Sequence, residues 1–468
     1  MLTRRQMLIG AAAMATPAGA QTPKTLQRGF ERLGRPLRIL VPEGAQANLH
    51  PVIQAFEDFC GCKADLVVVD LDNINATLML ESMVPTHDID IALPATFGIP
   101  DLVEAEAILP LDAFSTAEDR RANVPGGLYA AGDGFDGRRW GYQTDGDVYL
   151  MFYNRTLLKD PEEQARYADT TGTALDIPLT WDQVDRQMAF FHRPNDGLFG
   201  GCLFRTATYA NWEWWARFHA RGGLPFTEGF HPAIAGEAGI GALEAMIASA
   251  GSLTGSELGL FANWERYGRG DIYANIGWGG TQKALYARHS PMRDRLAHGP
   301  LPGGVVNGAP LPMAYFNWGW SYVVATHCPE PELAYRFCQF ATDPEGSAEA
   351  VAAVDGYFDP FRLEHYEDPR IVAVYGESFL EQHQRAMSAP IPDLYIARRG
   401  KYMEALNYWL LLALKRVVTP EIALENVSQV WELTTEQVGR KAQEDRWKAL
   451  YAAYPVELQP LWAQYRDG

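Results

Sequence analysis

The sequence predicts an α/β protein of more than one domain, and three observations lead there. Apolar runs of strand length alternate with segments of helical period from Leu37 onward, the pattern of βαβ units and a largely parallel sheet. Hydrophobic residues make up 47% of the chain and charged ones 21%, the balance of a folded protein with a sizeable core. At 468 residues the chain exceeds what one core ordinarily serves, so about two or three domains are expected.

The elements follow in order. Leu37 to Val41 reads as a buried strand, Asn48 to Phe59 as an amphipathic helix and Ala64 to Val69 as a second strand. Ile74 to Val84 has helical period, Ile89 to Leu93 is a short apolar strand, and Gly98 to Ala107 is helical again. Gly126 to Gly137, rich in Gly and Asp, runs into strand-like Trp140 to Gln143 and Val148 to Tyr153, as expected of a passage between domains. Beyond Asn154 the better helices are Trp181 to Phe191, Ala210 to Arg221 and Pro232 to Ser249, with Asp271 to Ile276 a strand among them. The Pro- and Gly-rich stretch Gly299 to Pro312 precedes a strand at Trp318 to Ala325 and a helix at Pro331 to Thr342, read as a return to the first domain. The rest is mostly helical, with a long periodic segment from Lys401 to Val417.

The N-terminus reads as an export address. Thr3-Arg4-Arg5-Gln6-Met7-Leu8 opens onto an apolar run, Leu8 to Ala15, and closes at Ala18-Gly19-Ala20. A basic start, a greasy stretch too short for a bilayer and small residues at a cleavage site predict a removable signal peptide over residues 1–20. The paired arginines resemble a twin-arginine signal, which implies export of the folded chain across a bacterial inner membrane. With no Cys beside the cleavage site to carry a lipid, the expected location is the free periplasm, without membrane insertion. The leader takes two of the 40 basic residues and none of the 58 acidic ones, so the formal charge falls from −18 to −20 on cleavage. That field disfavours nucleic acid and leaves neutral ligands the easiest fit. The five cysteines, Cys60, Cys62, Cys202, Cys328 and Cys338, form no framework; buried free thiols are the default, and a disulfide stays the open alternative.

A family resemblance enters through short pieces in a set order. These are Asp88-Ile89-Asp90-Ile91-Ala92, Ile108-Leu109-Pro110-Leu111, Gly141-Tyr142-Gln143-Thr144-Asp145 leading to Tyr153-Asn154-Arg155-Thr156-Leu157-Leu158, Pro178-Leu179-Thr180-Trp181-Asp182, and Thr342-Asp343-Pro344-Glu345. Their order and spacing resemble the extracellular solute-binding proteins of the family-1 type, the maltose-binding-protein-like receptors of ABC importers for sugars and polyols. The resemblance implies a two-lobe periplasmic-binding-protein fold of type II, with hinge strands between the lobes and a helical C-terminal extension. It divides the chain into lobe 1 at residues 36–145, lobe 2 at 146–302, a return to lobe 1 at 303–353, and lobe 2 with the helical region at 354–468. The crossings fall near Gln143 to Asp147, Leu301 to Gly304 and Val354 to Tyr357. The implied partners are a small neutral polyhydroxylated solute and membrane permease subunits, with the receptor a monomer; no cofactor or metal is implied. Phe358-Asp359-Pro360-Phe361-Arg362 departs from relatives, which often carry a small residue before Pro and Val-Arg after it, so ligand identity does not carry over.

Sugars and polyols present hydroxyl edges and C–H faces, so their sites pair carboxylates or amides with aromatic platforms. Asp145 and Asp147, two apart on an extended segment, face one side and either contact ligand or form a solvated turn around Gly146. Trp278, flanked by glycines, is the preferred platform. Trp212 shares a helix with Trp214 and Trp215, where spacing points Trp212 and Trp215 the same way, toward a core or toward ligand. Strand alternation puts Trp318 and Trp320 on one face and Asn317 on the other. Tyr357 and Arg362 follow the third crossing, Arg362 to bind hydroxyls or to form a salt bridge. Glu43, Gln46 and Thr96 lie in loops after strands, beside the cleft of a doubly wound lobe.

A secreted glycan hydrolase is the alternative, since it also needs cleft carboxylates. The chain carries no His-Glu-x-x-His, Gly-x-Ser-x-Gly or Walker loop, and its ten histidines are scattered. Gly132-Asp133-Gly134-Phe135-Asp136-Gly137 fits a dinucleotide pattern by letter, but its aspartates would repel a pyrophosphate and no helix follows. No catalytic residue is assigned.

Overall fold

The computed structural model describes residues 34–84, 88–115, 133–207 and 209–463. The expected signal peptide, Gly132 and most of the Gly/Asp-rich stretch before it lie outside the described residues.

Two sheets organise the chain. The first has, side by side, Ala64–Val69, Leu37–Pro42, Ile91–Ala92, Ser321–Val324 and Tyr142–Gln143. Its first three strands are parallel, with Ile39 opposite both Leu66 and Ile91, and Ser321–Val324 runs antiparallel to both of its neighbours. Leu37, Ile39, Leu40 and Val41 are buried, the continuous apolar run of a strand covered on both faces. The helix Gln46–Cys60 covers one face through Leu49, Val52, Ile53 and Phe56, and Gly61 ends it in the left-handed region. Phe56 meets Phe337 edge-on at 4.9 Å, which seats the returning helix Pro331–Ala341 on this lobe.

The second sheet has Leu296–Gly299, Leu150–Asn154, Ile272–Gly277 and Phe199–Cys202 in that order. The helices Arg399–Leu414, Pro420–Val438 and Arg440–Tyr451 form the C-terminal region, where the Trp431 indole donates to the Tyr402 carbonyl at 2.8 Å. No disulfide joins any of the five cysteines.

Three passages join the lobes. Residues 143–150 leave the first sheet for the second, and residues 313–321 run back antiparallel beside them, with Thr144 N–H bonded to the Trp320 carbonyl and Tyr149 N–H to that of Tyr315. The return comes later than Leu301 to Gly304, because Leu301–Val306 and Ala309–Met313 first pair with each other as a hairpin. Asn307 and Gly308, both at positive φ, make its turn. The third passage runs through 353–362 to the helices Pro369–Tyr375 and Glu377–Ser388 of the second lobe.

In the second lobe, the helix Ala210–Ala220 carries a buried charge network. Glu213 bonds Arg205 and Arg217 at 2.8 Å each, and Arg217 also grips Asp185 at 2.7 Å and stacks 4.2 Å over Trp181. Glu213→Ala would leave two buried guanidinium groups short of counter-charge, at a cost of about 3–5 kcal/mol. Urea denaturation should show that loss, and a change below about 1 kcal/mol would mean the network is dispensable.

Candidate functional site

The three passages converge on a group of buried carboxyls. Asp145 and Asp147 come from the first passage and Asp359 from the third, each offering an oxygen within 4.8 Å of the others. Asp145 accepts from the N–H groups of Gly146 at 2.8 Å and of Asp359. Asp359 accepts from Gly279 N–H at 2.6 Å and from the Tyr375 hydroxyl at 3.0 Å, and Asp147 accepts from Gly319 N–H of the second passage at 3.2 Å. Burial, reinforced by the neighbouring carboxyls, holds all three well above the usual aspartate range. Lys283 lies in their field; burial pulls its ammonium down to about 7 while Asp359 and Asp145 oppose that fall, and its Nζ donates to the Ala353 carbonyl at 3.0 Å.

Aromatic rings wall this group. A cavity of about 20 Å³, room for roughly one water, is lined by Asp147, Trp264, Trp278, Trp318, Trp320 and Tyr357 among others. Trp278 packs 4.7 Å from Tyr149, and its indole N–H donates to Asn317 Oδ1 at 2.9 Å, joining the second lobe to the returning passage. Tyr209 stacks on Trp318 at 5.8 Å, and Trp212 meets Trp318 at 5.0 Å and Phe97 of the first lobe at 5.8 Å.

Of the residues expected from sequence, Asp145, Asp147, Trp278, Trp212, Asn317, Trp318, Trp320 and Tyr357 gather here. Several arrive by a different route from the one anticipated. Trp318 and Trp320 precede the strand, which begins at Ser321, and Gly319 between them sits at φ 73°, so strand alternation does not set their faces. Asn317 consequently stands on the cleft side as well, against Trp278. Trp212 and Trp215 part company: Trp215 packs on Trp214, Phe218 and His219 and reaches Trp431 of the C-terminal region.

The remaining expected residues stand at the edge or outside. Thr96 is buried and its hydroxyl donates to the Trp318 carbonyl, so it shapes the turn that presents the indoles. The Glu43 side chain is exposed, and only its carbonyl meets the site, accepting from the Tyr357 hydroxyl at 3.3 Å. Gln46 opens the helix Gln46–Cys60 and is not among the cavity's lining. Arg362 bonds the Thr342 carbonyl and Glu364, the salt-bridge reading, and does not line the cavity.

Sequence reasoning missed Asp359, Lys283, Tyr149, Tyr209 and Trp264. The departure at Phe358-Asp359-Pro360 was the available signal for Asp359. Chemically, three hard oxygen donors suit a small cation or an ammonium group, and aromatic faces suit C–H patches or positive charge.

Residues 52–373 match the profile of a family described as bacterial extracellular solute-binding protein. Among solved structures, maltose-bound MalE3 of T. maritima is 16% identical, with 85% of this chain and 100% of that one covered and a TM-score of 0.72. An ABC transporter solute-binding protein from Agrobacterium radiobacter K84 in complex with ribitol is 14% identical, covering 86% and 99%, with a TM-score of 0.72. Another from Agrobacterium vitis S4, with bound D-mannitol, is 15% identical, covering 86% and 99%, with a TM-score of 0.68. No curated protein matches the chain. The likeness to these structures shows the two-lobe binding-protein fold.

The raised carboxyls have a stability signature. A folded-state value above the unfolded one favours folding fully only below the ordinary aspartate range, about pH 4, and that contribution fades as pH rises through the folded value. Asp147→Asn, which cannot ionise, should therefore gain on the native protein as pH climbs from 4 to 7.5, by roughly 1–3 kcal/mol. Chemical denaturation of both proteins across that range measures it, and parallel pH curves would show that Asp147 does not titrate with folding.

Proposed function

The chain belongs to the bacterial extracellular solute-binding proteins, and from that premise we propose that it captures a sugar or polyol between its lobes and delivers it to the membrane permease of an ABC importer. The observation that carries the reading is the pocket itself: buried carboxyls and four indoles enclosed where the passages between lobes meet. Carboxylates accept hydroxyl protons while indole faces cover the C–H surface of the solute. The maltose, ribitol and D-mannitol of the structural relatives support the same class of ligand.

A solute far larger than the cavity enters only if the lobes separate, and the passages at 143–150, 313–321 and 353–362 are the segments about which they turn. Lobe 1 is then assigned residues 36–145 and 322–353 and lobe 2 residues 146–312 and 354–463, with the return passage 313–321 between them. Closure presents one joint surface to the permease. Export through the twin-arginine-like leader places the working protein, a monomer, in the periplasm. No helix among the described residues is long and apolar enough to cross a membrane.

A thermal-shift screen of polyols, mono- and disaccharides with calorimetric confirmation identifies the solute, because a ligand bound only by the native state raises its stability. Trp278→Ala should weaken that binding by about 1–3 kcal/mol, roughly 5- to 150-fold. An unchanged affinity in the folded variant would remove Trp278 from the site.

A further inference from the structure

Acids outnumber bases at the pocket. Asp145, Asp147 and Asp359 are together in the interior, and the ammonium in their field is that of Lys283, which is engaged with the Ala353 carbonyl. Asp145 uses one oxygen for two backbone N–H groups; its Oδ2 is buried and finds no hydrogen-bond partner among the described residues. The Trp318 indole N–H, on a ring that lines the cavity beside Asp147, is likewise buried and unpartnered among them. The other rings on that cavity, Trp264, Trp278, Trp320 and Tyr357, offer faces whose quadrupole attracts a cation.

A neutral polyol would answer these groups only in part. Hydroxyls hydrogen-bond to the carboxyls but bring no positive charge, so with a neutral solute the buried group avoids the cost of ionising by keeping protons, whereas a cation supplies the counter-charge that lets it ionise. An ammonium group offers three donors and a positive charge in one compact unit, and it attracts both the carboxylates and the indole faces.

We propose that the solute carries an ammonium group that docks on Asp145, Asp147 and Asp359 between the indoles, so that the ligand is an amine-bearing sugar or polyol. The inference rests on the solute-binding reading above and narrows its ligand class from the neutral solute expected from sequence. The amine is held at the convergence of the passages, and the polyhydroxylated remainder extends into the space that opens between the lobes.

Matched pairs test it: glucosamine against glucose and 1-amino-1-deoxysorbitol against sorbitol, by calorimetry on the full exported protein at pH 7. The expected result is an affinity at least tenfold higher for the amine of a pair. In Asp147→Asn, or in Asp359→Asn should the first fail to fold by circular dichroism, that ratio should fall toward one. Equal binding within each pair, or preference for the neutral member, would overturn the inference and leave the sugar or polyol reading standing. A response to Mg²⁺ or Ca²⁺ with none to the amines would overturn it in favour of a metal. No binding by any sugar or polyol in the wider screen would sink the parent reading along with it.

Discussion

Two backbones pass so closely at Gly146 that a methyl group there would stand 2.0 Å from the Pro360 carbonyl oxygen. That approach binds the first and third passages into one unit and brings Asp145 within reach of the Asp359 N–H. Everything around the cleft is then referred to it. Asp359 fixes the start of the helix Gly279–Tyr286 through Gly279, Asp147 fixes the returning passage through Gly319, and the Nε2 N–H of His383 in the second lobe donates to the Gly146 carbonyl at 2.9 Å. Burial holds that imidazole down at about 3, so it acts as a neutral bracket.

Placing carboxyls at such a junction is a structural compromise. Desolvation opposes their ionised forms, and mutual repulsion opposes having three together. Backbone N–H groups of Gly146, Asp359, Gly279 and Gly319 satisfy part of their acceptor capacity, which is why the cluster can exist in the interior. The aromatic walls keep water out and so strengthen each remaining electrostatic interaction. The same device that makes the folded protein tolerate the cluster makes it responsive to whatever ligand supplies donors.

Much of this was legible locally. Apolar periodicity located the strands Leu37–Pro42 and Ala64–Val69 and the helix Trp181–Phe191, because burial on one or both faces writes itself into neighbouring residues. Asp145, Asp147 and Trp278 stood out since a passage between lobes and a Gly-flanked indole are readable over a few positions. Asp359 did not, because its role depends on Asp145, 214 residues away. Tyr149 and Tyr209 looked like core residues, and they are buried; only the fold reveals which buried rings border the cleft. The indoles at 318 and 320 were misassigned to a regular strand since a single Gly at positive φ reorients both, and Asn307-Gly308 announced a hairpin that the Pro-rich composition around it obscured.

The rings of the cleft also set terms for the ligand. Trp278, on the second lobe, packs against Trp318 of the returning passage at 6.0 Å, and Trp212 against Phe97 of the first lobe at 5.8 Å. Ring pairs of this kind contribute about 0.5–1.5 kcal/mol each beyond their buried area. A solute that enters must separate some of them, so the gain from stacking on the ligand is reduced by the stacking it displaces. The hydrogen bond that Trp278 donates to Asn317 is subject to the same exchange. What the rings cannot offer one another is a donor for Asp145 Oδ2 or an acceptor for the Trp318 N–H. Selectivity therefore falls to the polar groups, with the aromatic surfaces fixing shape and excluding water.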